Sequence, residues 1–213
     1  MGDIVYSEIH PEHYADVIRH LRYNFFADEP LNKSVSLCKP GEAHEELEQF
    51  SLDVLKEGMS FMATLEDTGE VVGVILNGVK GDQGNKENQK TYNDKKLQKI
   101  FDFLGNSDND LDIYTKYNIA DVLEVKILSV DMKYRGRGIA SKLFEITEKF
   151  AGLKKFKLLR ADATALFSQK VFQRFGFTTL KEIVYNEYPN KDEPCFTVEP
   201  PHVSFKIMVK SLF

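Results

Sequence analysis

The sequence predicts a mixed sheet flanked by helices, of the α/β or α+β class, and three observations carry that reading. Two β-rich runs, 60–65 and 71–79, are joined by Asp67-Thr68-Gly69-Glu70, which is hairpin chemistry. A strand, a glycine turn, a helix, a strand, a second helix and a third strand then follow in order from Val122 to Tyr185. A final apolar run, Val203 to Val209, closes the chain as a strand.

Each element has its own signal. Ile4 to Ile9 alternates apolar and polar residues as a half-buried strand does, and Pro11 suits the first turn of a helix reaching about Phe26. Between Gly41 and Glu57, residues Ala43, Leu47, Phe50, Leu52, Val54 and Leu55 recur at helical spacing, with acids early where the helix dipole favours them. Lys80 to Lys90 is rich in Gly, Asn, Gln and Lys, and reads as a long exposed loop. Tyr92 to Leu104 and Leu111 to Tyr117 are amphipathic and helical, separated by the breaker cluster Gly105-Asn106-Ser107-Asp108-Asn109. Val122 to Val130 is the central strand, followed by a helix from Gly138 to Ala151 and a strand from Lys157 to Ala163. A helix from Leu166 to Phe175 ends on Gly176, Thr178 to Tyr185 is a strand, and the proline-bearing stretch Asn186 to Pro201 is a loop.

Composition narrows the function classes. The chain has 213 residues, 42% of them hydrophobic, enough for one full core, so a single domain spanning 1–213 is expected. A net charge of −5 without a clustered basic face argues against nucleic acid as a partner. Cys38 and Cys195 lie far apart without metal-ligand spacing, and no run reaches membrane-spanning length. The expectation is a reduced, cytoplasmic, unanchored monomer acting on a small molecule. His10, His13, His20, His44 and His202 show neither metal spacing nor a triad arrangement, and no metal is expected.

The most informative segment is Arg135-Gly136-Arg137-Gly138-Ile139-Ala140 between the central strand and its helix. Two glycines let the main chain curl so that successive N–H groups converge on one anion at a helix N-terminus. A dinucleotide-binding turn needs a third glycine where Ser141 stands, and the P-loop spacing is absent. A hexapeptide this short equally suits a surface turn with two solvated arginines.

The spacing of Arg135, Gly138 and Ala140 resembles the R/Q-x-x-G-x-G/A signature of the GNAT superfamily of acyl-CoA-dependent N-acyltransferases, and the element order is similar to the GNAT fold. That resemblance implies a mostly antiparallel sheet with a splayed strand pair at the cofactor site, and acetyl-CoA as cosubstrate. It assigns the main chain of Arg135, Gly136, Arg137, Gly138, Ile139, Ala140 and Ser141 to the pyrophosphate. Leu128, Ser129 and Val130 would offer main-chain groups to the pantetheine arm as a missing strand would. Arg135, Arg137 and Lys142 would add charge near the phosphates, or be solvated surface residues.

Acetyl transfer also needs a base for the ammonium, a donor for the oxyanion and an acid for the thiolate. Phe25-Phe26-Ala27-Asp28-Glu29-Pro30-Leu31 places two carboxylates beside aromatic rings at the end of a helix, where the dipole disfavours them. On composition the segment suits either a functional carboxylate or two solvated acids before a helix-stopping proline. Asp28-Glu29-Pro30-Leu31 resembles the D-E-P-L segment of insect arylalkylamine N-acetyltransferases, which implies that Glu29 is the base, acting through ordered water. Glu124 is a second candidate, sharing a strand face with Lys126, with which it also suits an ion pair.

Much of the superfamily has an acidic tyrosine where this chain has Phe172, which has no proton to give. The insect branch instead uses hydroxyl residues further upstream, so the resemblance assigns Ser168 and Thr164 to the sulfur side. A serine is a poor acid toward a thiol of pKa about 8.5, so hydrogen bonding to sulfur or water relay is the role implied. Ser168 equally suits bonding its own backbone at a helix start. Phe25 and Phe26, with Glu29 and Glu124, are the expected acceptor-binding residues, while most phenylalanines fill the core. The acceptor implied is an arylalkylamine such as dopamine, serotonin, tyramine or octopamine. The alternatives are an aliphatic diamine or polyamine, and a non-catalytic acyl-CoA sensor.

Overall fold

The computed structural model describes residues 2–81 and 91–212. Seven strands run in the order β1-β2-β3-β4-β5-β7-β6 in one sheet: β1 (Ile4–Glu8), β2 (Phe61–Leu65), β3 (Val71–Gly81), β4 (Asp121–Val130), β5 (Leu158–Ala163), β6 (Thr178–Val184) and β7 (Ser204–Ser211). The four pairings β1–β2, β2–β3, β5–β7 and β6–β7 are antiparallel. The described helices are α1 (Tyr14–Asn24), α2 (Pro30–Ser34), α3 (Glu45–Leu55), α4 (Lys95–Asn106), α5 (Ile113–Tyr117), α6 (Ile139–Leu153) and α7 (Leu166–Arg174). The mixed class expected from the sequence is the class observed. The chain divides into two compact units, one of Met1–Asp28, Cys38–Gly78 and Val125–Lys155, the other of Glu29–Leu37, Val79–Glu124 and Phe156–Phe213.

In the first unit, Ile4 pairs with Leu65 and Glu8 with Phe61, and the β2–β3 hairpin forms as its residues predict, with Phe61 opposite Ile75 and Thr64 opposite Val71. Gly69 takes φ +71 and its N–H donates to the Leu65 carbonyl at 2.8 Å. Pro11 opens a 3-10 turn, Pro11–His13, before α1 begins, since its fixed φ suits a first turn that lacks an N–H to give. Helix α3 starts at Glu45 rather than Gly41, because His44 is the cap, its Nδ1 accepting from the Leu47 N–H, and Glu45, Glu46 and Glu48 fill the first turn. Arg22 then grips Glu48 with two hydrogen bonds of 2.8 and 2.7 Å, joining α1 to α3. Helix α6 approaches β3 closely at Gly73, where a Cβ would sit 2.9 Å from the Ile139 side chain.

In the second unit, β7 pairs with β5 on one side and β6 on the other. Phe103 of α4 anchors an aromatic core, its ring centroid 5.1 Å from those of Tyr188 and Phe196 and 5.4 Å from that of Phe205. Leu31 is buried in the same cluster, which seats α2. The exposed loop expected at Lys80 to Lys90 is corrected at its start: Lys80 and Gly81 belong to β3, and the Lys80 ammonium is nearly buried against Asp108 at 2.8 Å. The rest of that stretch, 82–90, lies outside the described residues.

Candidate active site

The glycine turn takes the shape that an anion cradle needs. Gly136 and Gly138 have φ of +77 and +79, and a Cβ on either would enter open space. Side chains there would be strained by the backbone rather than by crowding. Helix α6, fifteen residues long, opens on Gly138 with no side-chain cap and no acidic residue in its first turn. Its first N–H groups and its dipole are therefore offered outward, and the residues present fit a pyrophosphate. Ile139 is buried and anchors the turn, while Gly136, Arg137 and Gly138 are exposed.

The arginines differ in use. Arg135 is committed within its own unit, with Nη2 2.8 Å from Asp28 Oδ2 and Nε donating to the Val130 carbonyl at 3.1 Å. Arg137 lies over the Tyr134 ring at 5.7 Å and remains exposed. Lys142 pairs with Glu145 at 3.0 Å on the surface. Along β4, Leu128 and Val130 are half-buried, whereas Ser129 is buried with its side chain against His20.

Glu29 does not sit where the sequence reading placed it. It is the N-cap of α2 rather than the tail of α1, and one carboxylate oxygen accepts from the Asn32 N–H at 2.7 Å. The dipole there favours a negative charge, so the sign of that expectation is reversed. Pro30 explains the difference: it stops nothing, but occupies the first position of a new helix. The other carboxylate oxygen of Glu29 is sealed from solvent.

Thr164 and Ser168 are half-buried in the same unit as Glu29. The Ser168 hydroxyl donates to the Ala165 carbonyl at 2.8 Å, the self-capping role open to it from sequence. The Thr164 carbonyl accepts from the Tyr185 hydroxyl at 2.8 Å. Tyr185 is 2% exposed, and burial followed by the charge of Glu29 pushes its pKa up, so it stays a neutral donor. Nothing in the sequence marked it out, since it ends a strand pattern and reads as core.

Glu124 is only 4% exposed and belongs to a buried ion network. Its Oε2 lies 3.9 Å from Lys80 Nζ, which itself contacts Asp108. Arg160, 1% exposed, donates to Asp108 at 2.7 Å and to both oxygens of Asp162 at 2.9 and 3.0 Å. Arg160 and Asp162 share one face of β5 by the two-residue strand period. Lys80 is thus a partner of Glu124 that sequence distance concealed.

The aromatic candidates divide. Phe26 is fully buried and Phe172 lies in the core against Phe177 at 5.1 Å, so both are packing residues. Phe25 is half-buried, its ring edge-on to Phe26 at 6.5 Å. Among the described residues no cluster of His, Cys, Asp and Glu suits a metal ion, and no helix is long and apolar enough to cross a membrane.

Residues 24–177 match the acetyltransferase (GNAT) family. The chain is similar to the crystal structure of arylalkylamine N-acetyltransferase 2 from Aedes aegypti, with 39% identity over 99% of this chain and 100% of that one, and a TM-score of 0.94. Mosquito arylalkylamine N-acetyltransferase like 5b has the same fold at 23% identity, covering 99% of this chain and 100% of its own, with a TM-score of 0.85. So does Drosophila melanogaster polyamine N-acetyltransferase, which forms N-acetylagmatine, at 23% identity, the same coverage and a TM-score of 0.84.

Proposed function

Because the chain belongs to the acetyltransferase (GNAT) family, whose acyl donor is acetyl-CoA, we propose that it acetylates the primary amine of arylalkylamines such as dopamine, serotonin, tyramine and octopamine. The observation that carries the aryl preference is the 39% identity, over nearly the whole chain, to an arylalkylamine N-acetyltransferase. The polyamine enzyme shares the fold at lower identity and supports no acceptor of its own here.

When bound, the cosubstrate supplies an electrophilic thioester and a thiolate leaving group. The main chain from Arg135 to Ser141 holds its pyrophosphate, and Leu128, Ser129 and Val130 take the amides of its arm. Glu29 removes the ammonium proton through a water molecule, its carboxylate kept in one orientation by the Asn32 N–H. Ser168 and Thr164 serve the departing sulfur, and Phe25 packs on the acceptor's ring. Glu124 is left out of proton transfer, because Lys80 already engages it. Attack is direct, in a ternary complex, with the whole chain acting as one monomeric domain in the cytoplasm.

Initial rates at saturating acetyl-CoA across an amine panel test the proposal. Dopamine and tyramine should exceed putrescine and agmatine in kcat/KM by at least about fivefold, the discrimination an aromatic contact of about 1 kcal/mol provides. Equal rates for dopamine and putrescine overturn the aryl preference. Parallel rather than intersecting double-reciprocal lines overturn the ternary complex.

A further inference from the structure

His20 is a histidine inside an apolar core, 5% exposed on α1, and such a ring is tolerated only when both nitrogens are satisfied. Two strands satisfy them. The Nδ1 lies 3.1 Å from the carbonyl of Val71, at the start of β3, and a carbonyl can only accept, so Nδ1 carries the hydrogen. The Nε2 is then an acceptor, and it receives the Ser129 hydroxyl of β4 at 3.1 Å. The Asn24 carbonyl lies 3.3 Å from the same hydroxyl, and the Asn24 amide donates back to the His20 carbonyl at 3.1 Å. All of these residues belong to the first unit.

The position of this relay matters more than its strength. Ser129 is held through its side chain, and Asp131 is held through its main chain, its N–H donating to the Val72 carbonyl at 2.9 Å. Val130 is bracketed between the two anchors. A ligand that adds itself to a strand needs the facing N–H and C=O groups already in line, since ordering them on binding would cost affinity. An apolar side chain at position 20 would fill the space yet leave the Ser129 hydroxyl only the 3.3 Å contact to the Asn24 carbonyl. We propose that His20 is a positioning residue for the cosubstrate, holding Ser129 so that the Leu128–Val130 main chain stays in register for the pantetheine amides. This rests on the reading of that segment and of the glycine turn as the acetyl-CoA site.

Coenzyme A binding measured by calorimetry on the full chain, beside Tm without ligand and the amine KM at saturating acetyl-CoA, tests it. Ser129→Ala removes the held hydroxyl, and His20→Asn keeps a donor for Val71 but its shorter side chain brings no acceptor within reach of Ser129. Both should weaken coenzyme A binding about tenfold, the loss of one well-placed anchor, with amine KM unchanged. His20→Gln, whose Oε1 takes the Ser129 hydrogen, should stay within about threefold of wild type at a similar Tm. Wild-type affinity in Ser129→Ala and His20→Asn overturns the proposal, as does equal loss in all three variants in step with Tm. Ser141→Asp keeps the two failures apart: it suits the start of α6 but repels a phosphate. If it binds coenzyme A normally, the reading of the turn fails; if it loses binding while Ser129→Ala does not, only the role of His20 fails.

Discussion

Arg135 Nη2 lies 2.8 Å from Asp28 Oδ2, which joins the first residue of the glycine turn to the residue that precedes Glu29. The two side chains are 41% and 44% exposed, so solvent screens the pair. A double-mutant cycle with Asp28→Asn and Arg135→Gln should return a coupling below about 1 kcal/mol that shrinks further in 1 M salt. A coupling of several kcal/mol, indifferent to salt, would contradict this.

Glu29 has two separable duties, and two substitutions separate them. Glu29→Gln keeps an oxygen for the Asn32 N–H but gives up the base, so kcat should fall about 10²- to 10⁴-fold with stability nearly unchanged. Glu29→Ala loses the cap as well and should unfold about 1 kcal/mol more easily. Urea titrations beside steady-state rates check both, and a Gln variant as active as wild type removes Glu29 from the chemistry.

Asp108 governs stability in acid. Burial pushes its carboxyl pKa up, but the neighbouring Arg160 and Lys80 more than reverse this and hold it below the ordinary carboxylate value. A depressed folded-state pKa contributes stability above the unfolded value near 4, and that contribution is lost as pH falls through the folded pKa. Asp108→Asn should cost about 3 kcal/mol at pH 7, because it strips a partner from a buried arginine. The variant should also show a shallower loss of stability below pH 4 than wild type. Equal acid slopes would show that Asp108 is not the group responsible.

His20 acts in a higher window. Burial lowers its pKa to about 4, against an ordinary value near 6.5. Between those values the unfolded chain binds the proton and the folded chain does not, so stability rises with pH across the window and is complete above about 6.5. Lowering the pH from 7 to 4 should remove about 3 kcal/mol through this one group. In His20→Gln that share of the slope disappears, which urea unfolding at pH 7, 5.5 and 4.5 will show.

Tyr185 bonds the Thr164 carbonyl from inside the aromatic core. Tyr185→Phe preserves the ring packing and removes only the hydroxyl, so the expected loss is about 1 kcal/mol from one lost, partly buried hydrogen bond. Circular dichroism melts measure it, and an unchanged Tm would show that water replaces the bond.

Periodicity and turn chemistry were enough to place nearly every strand and long helix, because those signals are local: alternation for β1, Asp67-Thr68-Gly69-Glu70 for the hairpin, and Gly176 for the end of α7. The glycine turn was legible for the same reason, since two glycines before a helix state their own backbone geometry. Helix α2 was not legible, since its five residues carry no period and Pro30 reads as a stop when Asp28 and Glu29 are taken to end α1. Whether a carboxylate sits at the end of one helix or the start of the next reverses the dipole acting on it, and only the folded backbone decides that.

The long-range partners were equally out of reach. Lys80 with Asp108 and Glu124, Arg160 with Asp108, His20 with Val71 and Ser129, and Tyr185 with Thr164 are each set by strand order and helix packing, not by spacing along the chain. Residue type dictated that such buried charges and rings must find partners, because leaving them bare in a core costs several kcal/mol. Which partners they found is a property of the assembled fold, where residues more than fifty positions apart meet within 3 Å.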